Sequence, residues 1–84
     1  MAADQISKEE MEGLIALLER RLEVIADADL RVRDPEKQLA ELKDVSEKIS
    51  AFYSRHQSLL SPRLNHFLGN CSFDKALEWA RAAI

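Results

Sequence analysis

ISKEEMEGLIALLERRLEVIADADL, residues 6–30, reads as a helix that marks its own start. Ser7 stands three residues before Glu10, the S-x-x-E spacing of a capping box. In that motif the hydroxyl accepts from the N–H near Glu10, and the carboxylate reaches back to the Ser7 N–H. Ile6 and Met11 occupy the two positions of a hydrophobic staple, which fixes how the chain enters the helix. Glu9, Glu10 and Glu12 fall in the first turns, where negative charge suits the helix dipole. At about 100° per residue, Met11, Leu14, Ile15, Leu18, Leu22 and Ile25 line one stripe, and Leu17, Val24 and Ala28 a second beside it. The two stripes cover roughly half the circumference, more than the ~100° of an ordinary surface helix. One neighbour cannot cover that width, so the helix needs at least two, from its own chain or from a second copy. Gly13 is a mild weakness near the start, worth about 1 kcal/mol relative to Ala.

The rest of the chain is punctuated in the same way. Asp29 to Arg33 ends the first helix and crosses to the next element. Asp34-Pro35 then starts a second helix, since Asp is a favoured N-cap and Pro at N1 leaves no bond unmade. That helix carries Leu39, Leu42, Val45, Ile49, Phe52 and Tyr53 on one face, with Asp44 and Lys48 as an i, i+4 ion pair on the other. A short connection makes the two an antiparallel hairpin. The pattern weakens over the polar residues Ser54 to Ser58. Ser61-Pro62 repeats the cap-then-proline signature and predicts a short helix to about Leu68, ended by Gly69-Asn70, residues tolerant of positive φ. Ser72 can cap a last helix, with Asp74 in its first turn. Phe73, Ala76, Leu77, Ala80 and Ile84 share one face of it, and the apolar Ile84 predicts a docked terminus.

The expected fold is therefore all-α: a single domain over residues 1–84, with residues 1–6 frayed. A small helical bundle is built on a long hairpin (about 7–30 and 35–57), with two short C-terminal helices (about 62–68 and 73–83). Composition agrees. Of 84 residues, 46% are hydrophobic and 32% charged, with only two Gly and two Pro, the profile of a chain with few helix breakers. No run approaches the ~18 apolar residues of a membrane span, MAADQIS lacks a secretory pattern, and a lone cysteine fits a reducing compartment. A cytoplasmic location follows as an expectation, with no membrane partner.

The net charge of −3 is unevenly spread: residues 1–30 carry −5, while residues 31–56 and 57–84 carry +1 each. No segment has the basic excess of a nucleic-acid footprint. Residues 62–84 are helix–turn–helix in a loose sense, but the second helix offers only Lys75 and Arg81 as cations, too few for base edges and phosphates together. No nucleic-acid partner is expected.

Reactive groups are few. Cys71 lies close in sequence to His66 and beside a helix start that can lower a thiol pKa, yet a cysteine nucleophile needs a base oriented by a third group. The spacings of His56, His66 and Cys71 match neither an i, i+4 histidine pair nor a CxxC unit. No catalytic residue, metal or cofactor is assigned. Cys71 reads as a turn residue, and His66 as a boundary residue whose ring packs.

Two stretches resemble known families. LNHFLGNCSFDKALEWARAAI, residues 64–84, resembles part of a tetratricopeptide unit in its Leu68-Gly69 ending, its Phe73 and Ala76 positions and its Ala83-Ile84 close. Without a second repeat, it implies only a packing role. Residues 11–43 resemble the first two helices of the small all-α chorismate mutases: a long helix with Leu17-Leu18-Glu19-Arg20-Arg21, a connection, and an Asp34-Pro35 start. That resemblance implies an intertwined dimer binding a dianion through Arg20 or Arg21 and Lys37. The sequence departs from the family in three places. Asp27-Ala28-Asp29 replaces its later lysine, Lys37-Gln38 replaces its Arg-Glu pair, and its final helix with a catalytic Gln is missing.

The leading reading is a non-catalytic helical interaction or scaffold module that pairs as a homodimer or with another helical protein. Leu14, Leu17, Val24 and Trp79 are the candidate interface.

Overall fold

A computed structural model describes residues 6–83; the expectations about residues 1–5 and Ile84 lie outside them. Every regular element among these residues is helical. Helix α1 spans Lys8–Ala26, α2 Ala28–Arg33, α3 Pro35–His56, α4 Pro62–Gly69 and α5 Phe73–Ala82, with one 3-10 turn over Gln57–Leu59. None is long and apolar enough to cross a membrane.

The start signals work as local chemistry. The Ser7 hydroxyl accepts from the Glu10 N–H at 3.0 Å and donates to the Glu10 carboxylate at 3.1 Å. Asp34 and Ser61 cap α3 and α4 by accepting from Lys37 N–H and Leu64 N–H, each with proline in the first turn. Ile6 lies against the core that contains Met11, as the staple requires.

The first helix is shorter than its apolar pattern. It stops at Ala26, and the segment expected to continue and then cross over forms α2 instead. Asp27 accepts from the Leu30 N–H at 2.9 Å and so begins a new helix. Two side chains bond carbonyls at the end of α1, one of which, Val24 O, also accepts from the Asp27 N–H at 3.3 Å. Gln38 Nε2 donates to Val24 O (2.9 Å) and Arg31 to Ile25 O (2.8 Å). The break is thus capped from both sides.

The turn after α4 also differs from expectation. The left-handed residue is Cys71, at φ 56°, and neither Gly69 nor Asn70. Ser72 N–H donates to Phe67 O and Cys71 N–H to Leu68 O, the paired bonds of a Schellman motif with Cys71 at C′. Gly69 has a different task. It is the last residue of α4, where a Cβ would sit 3.1 Å from the Tyr53 hydroxyl, so its bareness lets α4 approach α3. Ser72 occupies the N-cap of α5 but its side chain makes no cap bond, because the residue is already folded into the preceding turn.

The core is one cluster in which Met11, Leu14, Ile15 and Leu18 of α1 meet Val45 and Ile49 of α3, with Leu64 and Leu68 of α4 and Ala76, Leu77 and Ala80 of α5. Helix α5 packs on both α1 and α4. The alanines along α5 allow that approach. The second neighbour demanded by the broad face of α1 comes from this same chain.

Candidate functional site

Two surfaces hold most of the chemistry. The first is a groove between α1 and α3, formed by adjoining clefts of 330 and 270 Å³ that share Leu17 and Lys48. Its floor is apolar: Leu17 from α1, with Ala40, Val45, Ala51 and Phe52 from α3. Its rim carries Arg20, Lys37, Lys48 and Arg55 against Glu41 and Asp44, an excess of two positive charges on a chain of net −3. The α3 residues recur every three or four positions, so one helical stripe lays them along the groove. Arg20 lies 3.6 Å from Glu23 and 3.7 Å from Glu41, and Lys48 lies 3.1 Å from Asp44.

Arg20 and Lys37, the cations singled out by the mutase resemblance, do line the same cleft. Glu41 and Asp44 line it with them, and Arg20 is already held by two glutamates. A dianion placed there meets carboxylates as well as cations. Gln38, at a position where that family carries a charged residue, is spent on the carbonyl of Val24. Arg21 points elsewhere, its guanidinium 4.6 Å from the centre of the Phe73 ring.

The second surface is a 460 Å³ cleft between α4 and α5, floored by Phe67 and Trp79 and rimmed by Arg63, Lys75 and Glu78. The Arg63 guanidinium lies 5.9 Å from the centre of the Trp79 ring, a cation–π contact near the outer limit of its range. Arg81, the other cation of α5, is bound to Glu19.

The four interface candidates separate cleanly. Leu14 is 0% exposed and Val24 2%, so neither has surface left for a partner. Leu14 is spent on the core, and Val24 is buried where α1 ends against α3. Leu17 and Trp79 are half-buried, one in each cleft. Sequence reasoning missed Arg63 and Phe67, although their i, i+4 spacing on α4 was a signal, and it missed Lys48 and Arg55 as rim charges. It also missed the contact between Glu10 and His56. His56 Nε2 meets the Glu10 carboxylate and Nδ1 donates to Phe52 O at 3.1 Å. The Phe52 ring lies beside the imidazole, centroids 4.3 Å apart. Both ring nitrogens face oxygen acceptors. Burial raises the Glu10 carboxyl pKa, but bonds from the Ser7 hydroxyl and backbone together with the His56 charge outweigh it, leaving the group below its ordinary value.

Among the described residues, no three His, Cys, Asp or Glu side chains converge as metal ligands. Cys71 is exposed, and the His66 ring is engaged by the Asn70 amide. No protein-family model matches the chain, and neither curated proteins nor solved structures include a match. The two family resemblances therefore rest on the quoted residues alone.

Proposed function

We propose that this chain is a non-catalytic helical interaction module that pairs with a second copy of itself through the α4/α5 face. The observation that carries the reading is the half-buried Trp79 beside Phe67 and Arg63. Tryptophan and arginine supply a disproportionate share of interface energy, and do so where association packs and desolvates them at the centre of the contact. The rim suits self-pairing. Under a two-fold axis the same patch meets itself, and Glu78 of one copy can face Arg63 or Lys75 of the other. An 84-residue chain lies near the lower limit of what one core stabilises unaided, so association has something to add.

Trp79 is the only tryptophan, which makes its fluorescence a report on this face. Molar mass by light scattering should fall from dimer to monomer on dilution, with a parallel shift in emission. Trp79→Ala and the surface reversal Lys75→Glu should both give monomers with unchanged circular dichroism. A monomer at every concentration overturns self-association. A dimer indifferent to both substitutions overturns the assigned face.

A further inference from the structure

We infer that the groove between α1 and α3 is a docking site for an acidic amphipathic helix of another protein. The site is separate from the Trp79 face, since no residue of α4 or α5 lines it.

The groove has the form that a helix requires. α3 contributes lining residues from Lys37 to Arg55, and α1 closes one side of the groove with Leu17 and Arg20. Eighteen residues apart on a helix correspond to about 27 Å, the length of an ~18-residue partner helix. Helix-in-groove recognition reads apolar anchors at i, i+3, i+4 and i+7 from one face of the incoming helix. Leu17 and Phe52, partly buried against the core, are the floor against which such anchors would pack.

Charge selects the occupant. Four cations and two carboxylates rim the groove, although the chain as a whole is acidic. Arg20 and Lys48 have acidic neighbours, whereas the Lys37 and Arg55 side chains have none within ion-pair distance among the described residues. Those two lie at opposite ends of the α3 wall. A helix with carboxylates flanking its apolar stripe would meet an unneutralised cation at each end. A second copy fits this groove poorly. Groove against groove sets one positive rim on another. The exposed face of α1, with Glu12, Gly13, Ala16 and Glu23, is acidic and offers Leu22, 38% exposed, as its one large apolar side chain, fewer anchors than a helix-in-groove contact uses.

The test uses the intact chain and three dye-labelled synthetic helices of ~18 residues sharing one leucine stripe, flanked by glutamate, glutamine or lysine. Fluorescence anisotropy should show the glutamate helix binding at least about tenfold more tightly than the other two. Its affinity should fall as salt is raised to about 1 M, where screening shortens to about 3 Å. The double reversal K37E with R55E should weaken it about tenfold or more, and Lys75→Glu on the other face should leave it unchanged. Should the reversals unfold the chain, the neutral pair K37Q with R55Q carries the same comparison. Equal binding of all three helices overturns the acidic selectivity. Failure of all three to bind, or indifference to the Lys37 and Arg55 changes, overturns the site. A doubled molar mass abolished by Leu17→Glu would assign the groove to a second copy and overturn the proposal.

Discussion

Cys71 holds a backbone conformation that glycine adopts freely and cysteine does not. At φ 56° its Cβ crowds the following carbonyl, which costs about 1–2 kcal/mol for an L-residue. Replacing it with glycine returns part of that gain as extra freedom of the unfolded chain, about 0.4–1 kcal/mol. Cys71→Gly should therefore raise the urea-unfolding free energy by about 0.5–1 kcal/mol; a loss of stability would mean the thiol makes a contact that outweighs the strain. Glu10 makes the complementary case in charge. Its folded-state pKa lies below the ordinary value of 4.5, burial opposing and the Ser7 bonds and His56 favouring the charged form. A depressed carboxyl stabilises the fold fully above the ordinary value and loses that contribution as pH falls through the folded one. Between about pH 6 and pH 3, the melting temperature of the parent chain should fall more steeply than that of Glu10→Gln. Parallel curves would remove Glu10 from the acid response.

At the scale of elements, the break between α1 and α2 separates what the sequence spells from what only the fold decides. Ser7, Asp34 and Ser61 were legible because each start is written within four residues, a polar side chain and the N–H three positions on. The stop at Ala26 was not, because Gln38, which bonds the Val24 carbonyl, lies fourteen residues away and reaches it only once the hairpin has closed. The turn after α4 was misread for a similar reason. Gly69 has the right chemistry for a left-handed cap, but it stays helical beside the Tyr53 hydroxyl of α3, and the left-handed residue falls two positions on, at Cys71. The candidate sites divide likewise. Trp79 could be picked out as the residue off the main stripe of its helix, whereas Phe67 and Arg63 join it only through the packing of α4 on α5. The break itself can be tested from both ends. Asp27→Ala should cost about 1 kcal/mol by removing the α2 cap, and Gln38→Leu about as much by leaving a half-buried carbonyl underpaired. If Asp27→Ala instead raised both helicity and stability, the two helices would have fused, and the Asp27 cap alone would hold them apart.

Across the whole molecule, burial divides the hairpin into a packed end and a free end. The chain measures 47 × 22 × 21 Å, and no residue from 25 to 44 is buried. The pairing of two long helices was readable from the apolar periods of α1 and α3, although α1 stops short of its pattern at Ala26; how little of the hairpin α4 and α5 would cover was not, since that depends on where two short helices cross. At the packed end α1, α3, α4 and α5 share one core; at the far end α1 and α3 have only each other and α2, and Val32 stands 81% exposed. Local opening follows buried contact, so regions with little of it exchange amide hydrogens without global unfolding. In hydrogen exchange, amides of α2 and the first turns of α3 should therefore show a lower opening free energy than those of Leu14–Leu18, Leu64–Leu68 and Ala76–Ala80, which should reach the global value. Leu18→Ala, which empties a fully buried site at a cost of about 2–5 kcal/mol, should lower protection at the packed end by its full effect and leave the far end nearly unchanged. That asymmetry is the sharper part of the test. Openings of the free hairpin end that precede global unfolding do not pass through the core, so a core cavity cannot alter them. One uniform opening energy along the chain, shifted uniformly by Leu18→Ala, would mean that the hairpin folds as a single rod and that the Gln38 and Arg31 caps bind its far end as firmly as the core binds the near one.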